Sequence, residues 1–297
     1  MDSLPYEISF SIFHESKRDD LLNFGLTSRH NLQLVVPILA GYRLLGALIR
    51  KRDVTKVLLS SLAIPHLDLF IQHDGKSIIH HAIQHGHHQV AEQLVSKAPR
   101  LLQTEDKRMR TPLVYAVIQR QYTLVKSFIS KGVVLLNHQD DTGSTALHYA
   151  ADFGSTVMVQ HLLDANADDS LENSSRRTPL LLAVRGNHTS VAFQLIAHGA
   201  DTRAHDEEHD ALFWAVFHRN IILVRQLLDN GATPQGFVPA SGDTILHRAI
   251  FYGYNVIWEL VSRGANIHAR NNAGNTPLEL AYRYGGEPKV QMLERRL

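Results

Sequence analysis

An all-α repeat solenoid is the fold class that this sequence predicts, and three observations predict it. A six-residue pattern close to Thr-Pro-Leu-His-x-Ala occurs seven times, beginning at Ser77, Thr111, Thr145, Thr178, Asp210, Thr244 and Thr276. The steps between those positions are 34, 34, 33, 32, 34 and 32 residues, a period that marks stacked supersecondary units, not one globular core. After each copy comes a second apolar run, and most of these runs close on glycine or asparagine, as helix ends do.

Residues 1–40 stand outside the repeat. Ser3 can cap a helix whose first turn holds Pro5 and Glu7, both favourable there. Ile8, Ile12 and Phe13 fall on one face of that helix, and Asp19 or Asp20 can start a second one carrying Leu21, Leu22, Phe24 and Leu26. Residues 41–70 read as a worn first repeat, with Gly46-Ala47 near the small-residue position and Val54, Val57, Leu58 and Leu59 as its second helix. Terminal repeats are commonly atypical because one side meets a cap. The apolar stretch Leu32–Ile49 is interrupted by Gln33, Pro37 and Arg43. A membrane span needs about 20 apolar residues, so the stretch reads as two buried helices.

From residue 77 onward local chemistry specifies each helix pair. Thr111, Thr145, Thr178, Thr244 and Thr276 take N-cap positions, where a hydroxyl accepts from an orphan helical N–H. Pro112, Pro179 and Pro277 enter the first turn, where no N–H is needed. Leu and Ala follow in the core, and the small Ala lets two helices approach closely. Gly86, Gly154 and Gly253 mark a turn. The second helix carries pairs such as Leu162-Leu163, Leu195-Ile196, Leu227-Leu228 and Leu260-Val261. It ends at Gly132, Gly199, Gly231 and Gly264, with Asn166 in one repeat; all can adopt the left-handed cap. Ala98-Pro99 stands there in another repeat, which predicts a different helix end.

Short β-hairpin fingers are expected between repeats, at His73–Lys76, Asp140–Ser144 and Asn271–Asn275, where Asp or Asn with Gly suits tight turns. The connection Thr233–Asp243, with Pro234, Gly236, Pro239 and Gly242, predicts a longer loop on the same side. Between Gly285 and Leu297 an apolar set of Val290, Met292 and Leu293 is backed by Glu294, Arg295 and Arg296, the pattern of a polar-backed cap.

Composition narrows the function classes. A formal net charge of +1 gives no field that selects nucleic acid or membrane, and there is no cysteine. His80, His81, His85, His87 and His88 cluster, but no carboxylate or thiol completes a metal site nearby in sequence. HExxH, GxSxG, Walker A and GxGxxG motifs are absent, so the expectation is no cofactor, no metal, no catalytic residues and no enzyme. Met1–Pro5 does not begin a basic region followed by an apolar core, and the expected setting is cytoplasmic or nuclear, as a monomer.

The seven motif copies, with their period near 33, resemble the ankyrin repeat over residues 41–297. Residues 1–40 resemble an F-box, which runs Leu-Pro-x-Glu-Ile, then an apolar pair, then Asp-Leu-Leu, then Ser and Arg. Here Leu4, Pro5, Glu7, Ile8, Ile12, Phe13, Asp20, Leu21, Leu22, Ser28 and Arg29 carry that order. Ser16 and Asn31 depart from it, standing where the family has Leu and a large aromatic. An F-box followed by ankyrin repeats is similar to a group of fungal proteins, and implies docking of Leu4, Pro5, Ile8, Ile12, Leu21 and Leu22 on a Skp-type adaptor of a cullin–RING (SCF-type) ubiquitin ligase. The other reading of residues 1–40 is a cap over the first repeat. The ankyrin resemblance also implies a protein target on the concave side, met by Tyr115, Tyr149, Phe153, Trp214, Phe217, His218, Arg248, Phe251 and Tyr252. Aromatics and Arg are over-represented among hot spots. A substrate-recruiting ligase subunit, a scaffold with no ubiquitin link and an enzyme using the groove as its pocket are the three functions that follow, in that order.

Overall fold

The computed structural model describes residues 75–295, apart from Val133 and Pro239. The F-box-like segment and the worn first repeat lie outside the described residues. The chain divides into two compact units, Met1–Asp141 and Thr142–Leu297.

In the first unit, α1 (Ile78–Gln84) and α2 (His88–Lys97) form one helix pair, and α3 (Pro112–Ile118) and α4 (Tyr122–Ser130) form the next. At Ala98 the backbone has negative φ (−135°), and a 3-10 turn, Pro99–Gln103, follows where the other repeats have a left-handed cap. Its Leu101 and Leu102 are fully buried. Proline, with no N–H to give, thus turns the expected irregularity into core.

The second unit holds α5 (Ala146–Asp152) and α6 (Thr156–Asp164), α7 (Pro179–Arg185) and α8 (Thr189–His198), α9 (Ala211–Phe217) and α10 (Ile221–Asp229), and α11 (Ile245–Ala249) and α12 (Tyr254–Ser262). Helix α13 (Pro277–Leu280), a π turn over Ala281–Gly285 and α14 (Glu287–Glu294) complete it. First helices pack on first helices and second on second, giving two layers. Leu147, Leu180, Leu212 and Leu246 of the first layer and Leu162, Leu195, Leu227 and Leu260 of the second are all buried. Ala150, Ala183, Ala215, Ala249 and Ala281 are buried between them. Truncating any of these leucines to Ala removes about 2–5 kcal/mol.

Each first helix starts as its sequence requires. Thr111, Thr145, Thr178, Thr244 and Thr276 accept from the N–H three residues on, and Asp210 does so with a carboxylate oxygen at 2.7 Å. Where His stands three residues after the cap, a further link appears. The Nδ1 atoms of His80, His148 and His247 each accept from their own N-cap N–H at 3.1 Å. The proton therefore sits on Nε2, which donates to the carbonyls of Arg110, Arg177 and Asn275 in the following finger, at 3.1, 3.0 and 2.9 Å. All three rings are buried. In the last repeat Glu279 takes the place of His and accepts from Thr276 N at 2.7 Å.

The fingers reverse the chain as expected, with little regular ladder; the one expected at His73–Lys76 begins outside the described residues. Among the described residues one antiparallel pair exists, β1 (Phe237–Val238) with β2 (Asp243–Thr244), in register Phe237 to Thr244, with an isolated bridge between His205 and Asp210. That pair is the enlarged connection. The fingers at Asp106, Asn173, Asp206 and Asn271 close on one backbone bond, from Asp106 N to Arg110 O, Asn173 N to Arg177 O, Asp206 N to His209 O and Asn271 N to Asn275 O, and on a side chain as well. Asp106 Oδ1 accepts from Arg108 N and Arg110 N, and Asn173 and Asn271 bind their own turns in the same way. The carboxylate or amide thus satisfies turn amides beside the single backbone bond. Consecutive fingers are joined by single backbone bonds, Ser174 N to Thr142 O and Asn272 N to Ser241 O.

Gly132, Gly199, Gly231, Gly264 and Asn166 all have positive φ, as the sequence predicts. Gly253 does not follow Gly86 and Gly154. Its φ of 166° is extended backbone, because α11 ends early and Tyr252 and Gly253 both donate to Ala249 O. Lys289 Nζ of α14 then takes the Ile250 carbonyl. Val290, Met292 and Leu293 are buried and Glu294 and Arg295 exposed, so α14 is backed by polar residues as expected.

The buried imidazole makes stability depend on pH. Burial lowers the His80 pKa from 6.5 to about 4. Between those values only the unfolded chain takes up the proton, so stability falls as pH drops from 6.5 towards 4. The full window is worth about 3 kcal/mol. We expect the full chain to melt earlier at pH 5.0 than at pH 7.5, and His80→Leu to shrink that difference while costing about 1–3 kcal/mol at pH 7.5. An equal pH response in the variant would show that His80 is not held neutral.

Candidate protein-binding interface

The concave residues expected from the sequence do not all reach solvent. Tyr115 of α3 is only 6% exposed. Its hydroxyl donates to Asp106 Oδ2 at 2.7 Å and accepts from Arg110 Nη2 at 3.1 Å, and its ring meets His80 edge-on at 4.9 Å. Tyr115 therefore ties its helix to its own finger and is removed from the candidate surface. The Asp106 carboxylate is the reason. Burial alone would raise its pKa, but Arg110, Tyr115 and two turn amides hold it at about 2, and a carboxylate so placed recruits the phenol inward.

The other predicted residues lie in the second unit. Tyr149 and Phe153 are half-buried and 6.3 Å apart on α5 and its end. Trp214 is half-buried, 5.6 Å from Phe217 and 6.4 Å from His218, and its Nε1 is buried without an acceptor. Phe217 lies 5.8 Å from Tyr252. Phe217 is 46% exposed and Phe251 45%. His218 Nε2 donates to Arg185 O at 2.8 Å, which anchors the end of α9 to the end of α7. Arg248 pairs with Asp243 at 3.6 Å, and its Nε is buried without a partner.

The structure adds residues that sequence reasoning passed over. Tyr284 is 59% exposed and 5.7 Å from Phe251. Arg185 lies over Trp214 at 5.6 Å, Arg219 over Tyr252 at 5.8 Å and Arg283 over Tyr284 at 5.9 Å. His209 packs on Phe213 at 3.7 Å, and burial lowers its pKa. A signal for three of them was available. Arg185 and Arg283 stand two residues after the core Ala, as Phe217 and Phe251 do, and Tyr284 stands three after, as His218 and Tyr252 do.

Backbone geometry brings neighbouring repeats close at the turn between their helices. Gly154 (φ +69°) is packed so closely on the His188 ring that a Cβ would collide with it, and His188 Nε2 donates to Asp152 O at 2.9 Å. The α5 end is thereby tied to the turn before α8 without a side chain between them. At the fingers, Arg177 Nε reaches Asp206 at 2.9 Å and links two of them. Burial would raise the Asp206 pKa, but the His209 amide and Arg177 reverse the direction and lower it.

The family described as ankyrin repeats (three copies) matches the chain over residues 44–135, 99–173, 123–206, 154–237 and 212–295. The chain belongs to the ankyrin-repeat family. As an ankyrin-repeat protein it is 31% identical over 161 residues to neurogenic locus notch homolog protein 1 of Homo sapiens, covering 53% of this chain and 6% of that protein. It is 27% identical over 217 residues to the nuclear factor NF-kappa-B p105 subunit of Gallus gallus, covering 69% and 22%. The chain thus spans a small part of the length of these curated relatives. Among solved structures, the ankyrin repeat domain of Bcl-3, a member of the IkappaB protein family, is similar with a TM-score of 0.62 and 27% identity over 75% of this chain and 99% of that one. The human ASB11 ankyrin repeat domain gives 0.60 and 25% over 75% and 98%. The ankyrin-repeat fold is in general a non-catalytic protein-interaction module. Among the described residues no helix is long and apolar enough to cross a membrane.

The burial pattern separates surface from packing by stability. Phe217→Ala should change the unfolding free energy by about 0.5 kcal/mol or less, Trp214→Ala should cost about 1–3 kcal/mol through its lost ring contacts, and Leu212→Ala about 2–5 kcal/mol. Denaturant melts of the three variants check the order; a Phe217 loss as large as that of Leu212 would place the whole strip in the core.

Proposed function

We propose that this ankyrin-repeat protein is a non-enzymatic scaffold that holds a protein target against Trp214, Phe217, His218, Arg248, Phe251 and Tyr252, with Tyr149 and Phe153 at one end. The observation that carries this reading is the exposure of Phe217 and Phe251, each in ring contact with an aromatic of the next repeat. Surface aromatics so grouped cost solubility unless a partner covers them, and aromatic anchors supply most of the energy of an interface. The repeats bring the side chains together because each helix pair adds one more copy of the same face.

A second reading builds on the first. The Leu4-Pro5-Tyr6-Glu7-Ile8 and Asp20-Leu21-Leu22 order supports an F-box-like segment, in which Leu4, Pro5, Ile8, Ile12, Leu21 and Leu22 engage a Skp-type adaptor and the repeats recruit the substrate of a cullin–RING ligase. With no cysteine in the chain, a thiol for ubiquitin transfer would come from another subunit.

One set of affinity purifications tests both. Proteins recovered with the full chain should be lost with Phe217→Ala/Phe251→Ala and kept with Tyr254→Ala, an exposed aromatic on the second-helix layer. For any target so defined, Trp214→Ala should weaken binding by about 2 kcal/mol, about thirtyfold in affinity. Leu4→Ala/Pro5→Ala should lose the adaptor and keep the target. Equal adaptor recovery from that variant removes the ligase reading, and target recovery that survives the Phe217/Phe251 change removes the strip.

A further inference from the structure

The aromatic strip is edged by cations that no carboxylate among the described residues neutralises. Arg185, Arg219 and Arg283 are exposed, and each lies on a ring of the strip. Among the described residues none of the three is paired with a carboxylate, whereas the finger arginines Arg108, Arg110 and Arg177 all are. A guanidinium stacked on a ring has little rotamer freedom left to lose, and its in-plane N–H groups stay available as a fork that matches a carboxylate. The carboxylates of the fingers and of the last helix start are engaged elsewhere. Asp243 pairs with Arg248, Asp206 with Arg177 and Glu279 with Arg270.

We propose that the strip takes an extended acidic peptide segment of its partner. Its apolar side chains cover Phe217, Phe251 and Tyr284, and its Asp or Glu carboxylates meet Arg185, Arg219 and Arg283. Charge complementarity selects this occupant over a basic or neutral one. It is favoured over a single-stranded nucleic acid, which would also stack on rings and meet arginines. The exposed Asp152, Glu207 and Glu208 on the same unit would repel a continuous polyanion, but they leave room for a short segment with discrete charges. Helices pack at about 8–10 Å, and an extended chain advances about 3.3 Å per residue. Successive repeats are therefore met by side chains about three residues apart. Arg185 and Arg219 belong to consecutive repeats and Arg283 to the second repeat after Arg219, so the proposed segment carries its carboxylates about three and then about six residues apart.

This inference rests on the strip being the docking face, and the test separates the two. A random dodecapeptide library displayed on phage is selected on the immobilised full chain, and the recovered peptides are measured by fluorescence anisotropy. The expected result is enrichment of Asp and Glu over Lys and Arg. Affinity should fall about tenfold or more in an Arg185→Ala/Arg219→Gly/Arg283→Ala variant, and should fall with added salt. Glycine is chosen at 219 because that residue has a φ of +55°, a conformation glycine adopts without strain, so the variant stays folded; its melt should match the unsubstituted chain. Peptides that need Phe217 but show no acidic enrichment would overturn the inference and leave the docking face standing. Peptides indifferent to Phe217→Ala would overturn both. A labelled oligothymidine that binds more tightly than any selected peptide would assign the strip to nucleic acid instead.

Discussion

The neutral imidazole buried at the start of three first helices is the interaction on which the array depends. An N-cap N–H and a finger carbonyl are both removed from water at the seam between two repeats, and each would cost about 1–3 kcal/mol if left unpaired. One ring satisfies both, because its two nitrogens point in opposite directions and carry one proton between them. His80, His148 and His247 do this across 30, 29 and 28 residues of chain. The link works only while the ring is neutral, since a second proton would deprive the N-cap amide of its acceptor. Burial, which lowers the His80 pKa, thus protects the geometry that burial made necessary.

The candidate interface inherits its order from that seam. Once each first helix is fixed against the next finger, the positions around the core Ala fall on one face in every repeat. The side chains there are free to vary because Leu and Ala one turn away already supply the core. Trp214, Phe217, Phe251 and Tyr284 occupy that freedom in consecutive repeats, and the arginines lie against them. The face is generic to the fold, whereas the charge along it belongs to this chain.

Most of the architecture was legible because it is written in local chemistry. Thr before Pro-Leu marks a helix start wherever it stands, and Asn166 at a helix end is read as easily as Gly199. The misreadings have a common cause, which is that a pattern names a position and not its neighbours. Tyr115 occupies the same register as Tyr149 and Trp214, but Asp106 nine residues earlier draws its hydroxyl inward. Met109, Arg120, Arg176 and Arg219 sit at positive φ in the registers that Gly75, Gly86, Gly143 and Gly154 hold in other repeats, so the repeat register forecasts the conformation where the residue type does not. The fingers read as hairpins, and a backbone bond does close those at Asp106, Asn173 and Asn271, but the sequence pattern does not show that the Asp or Asn side chain takes the turn amides. In the Asp206 finger one residue fewer separates the acidic residue from its helix cap, and the 32-residue step into Asp210 records that shortening.

The seams between repeats are chemically unlike, and this gives the second unit an uneven compliance. The joint made by His148 and Arg177 O is neutral and buried, so dissolved ions hardly reach it. The joint made by Arg177 and Asp206 is an ion pair with one partner partly in solvent, and salt weakens such pairs. Raising ionic strength therefore loosens one joint and leaves its neighbour as it was. Stretched between its ends in a single-molecule experiment, the unit would be a spring whose softest turn is chosen by the solution around it.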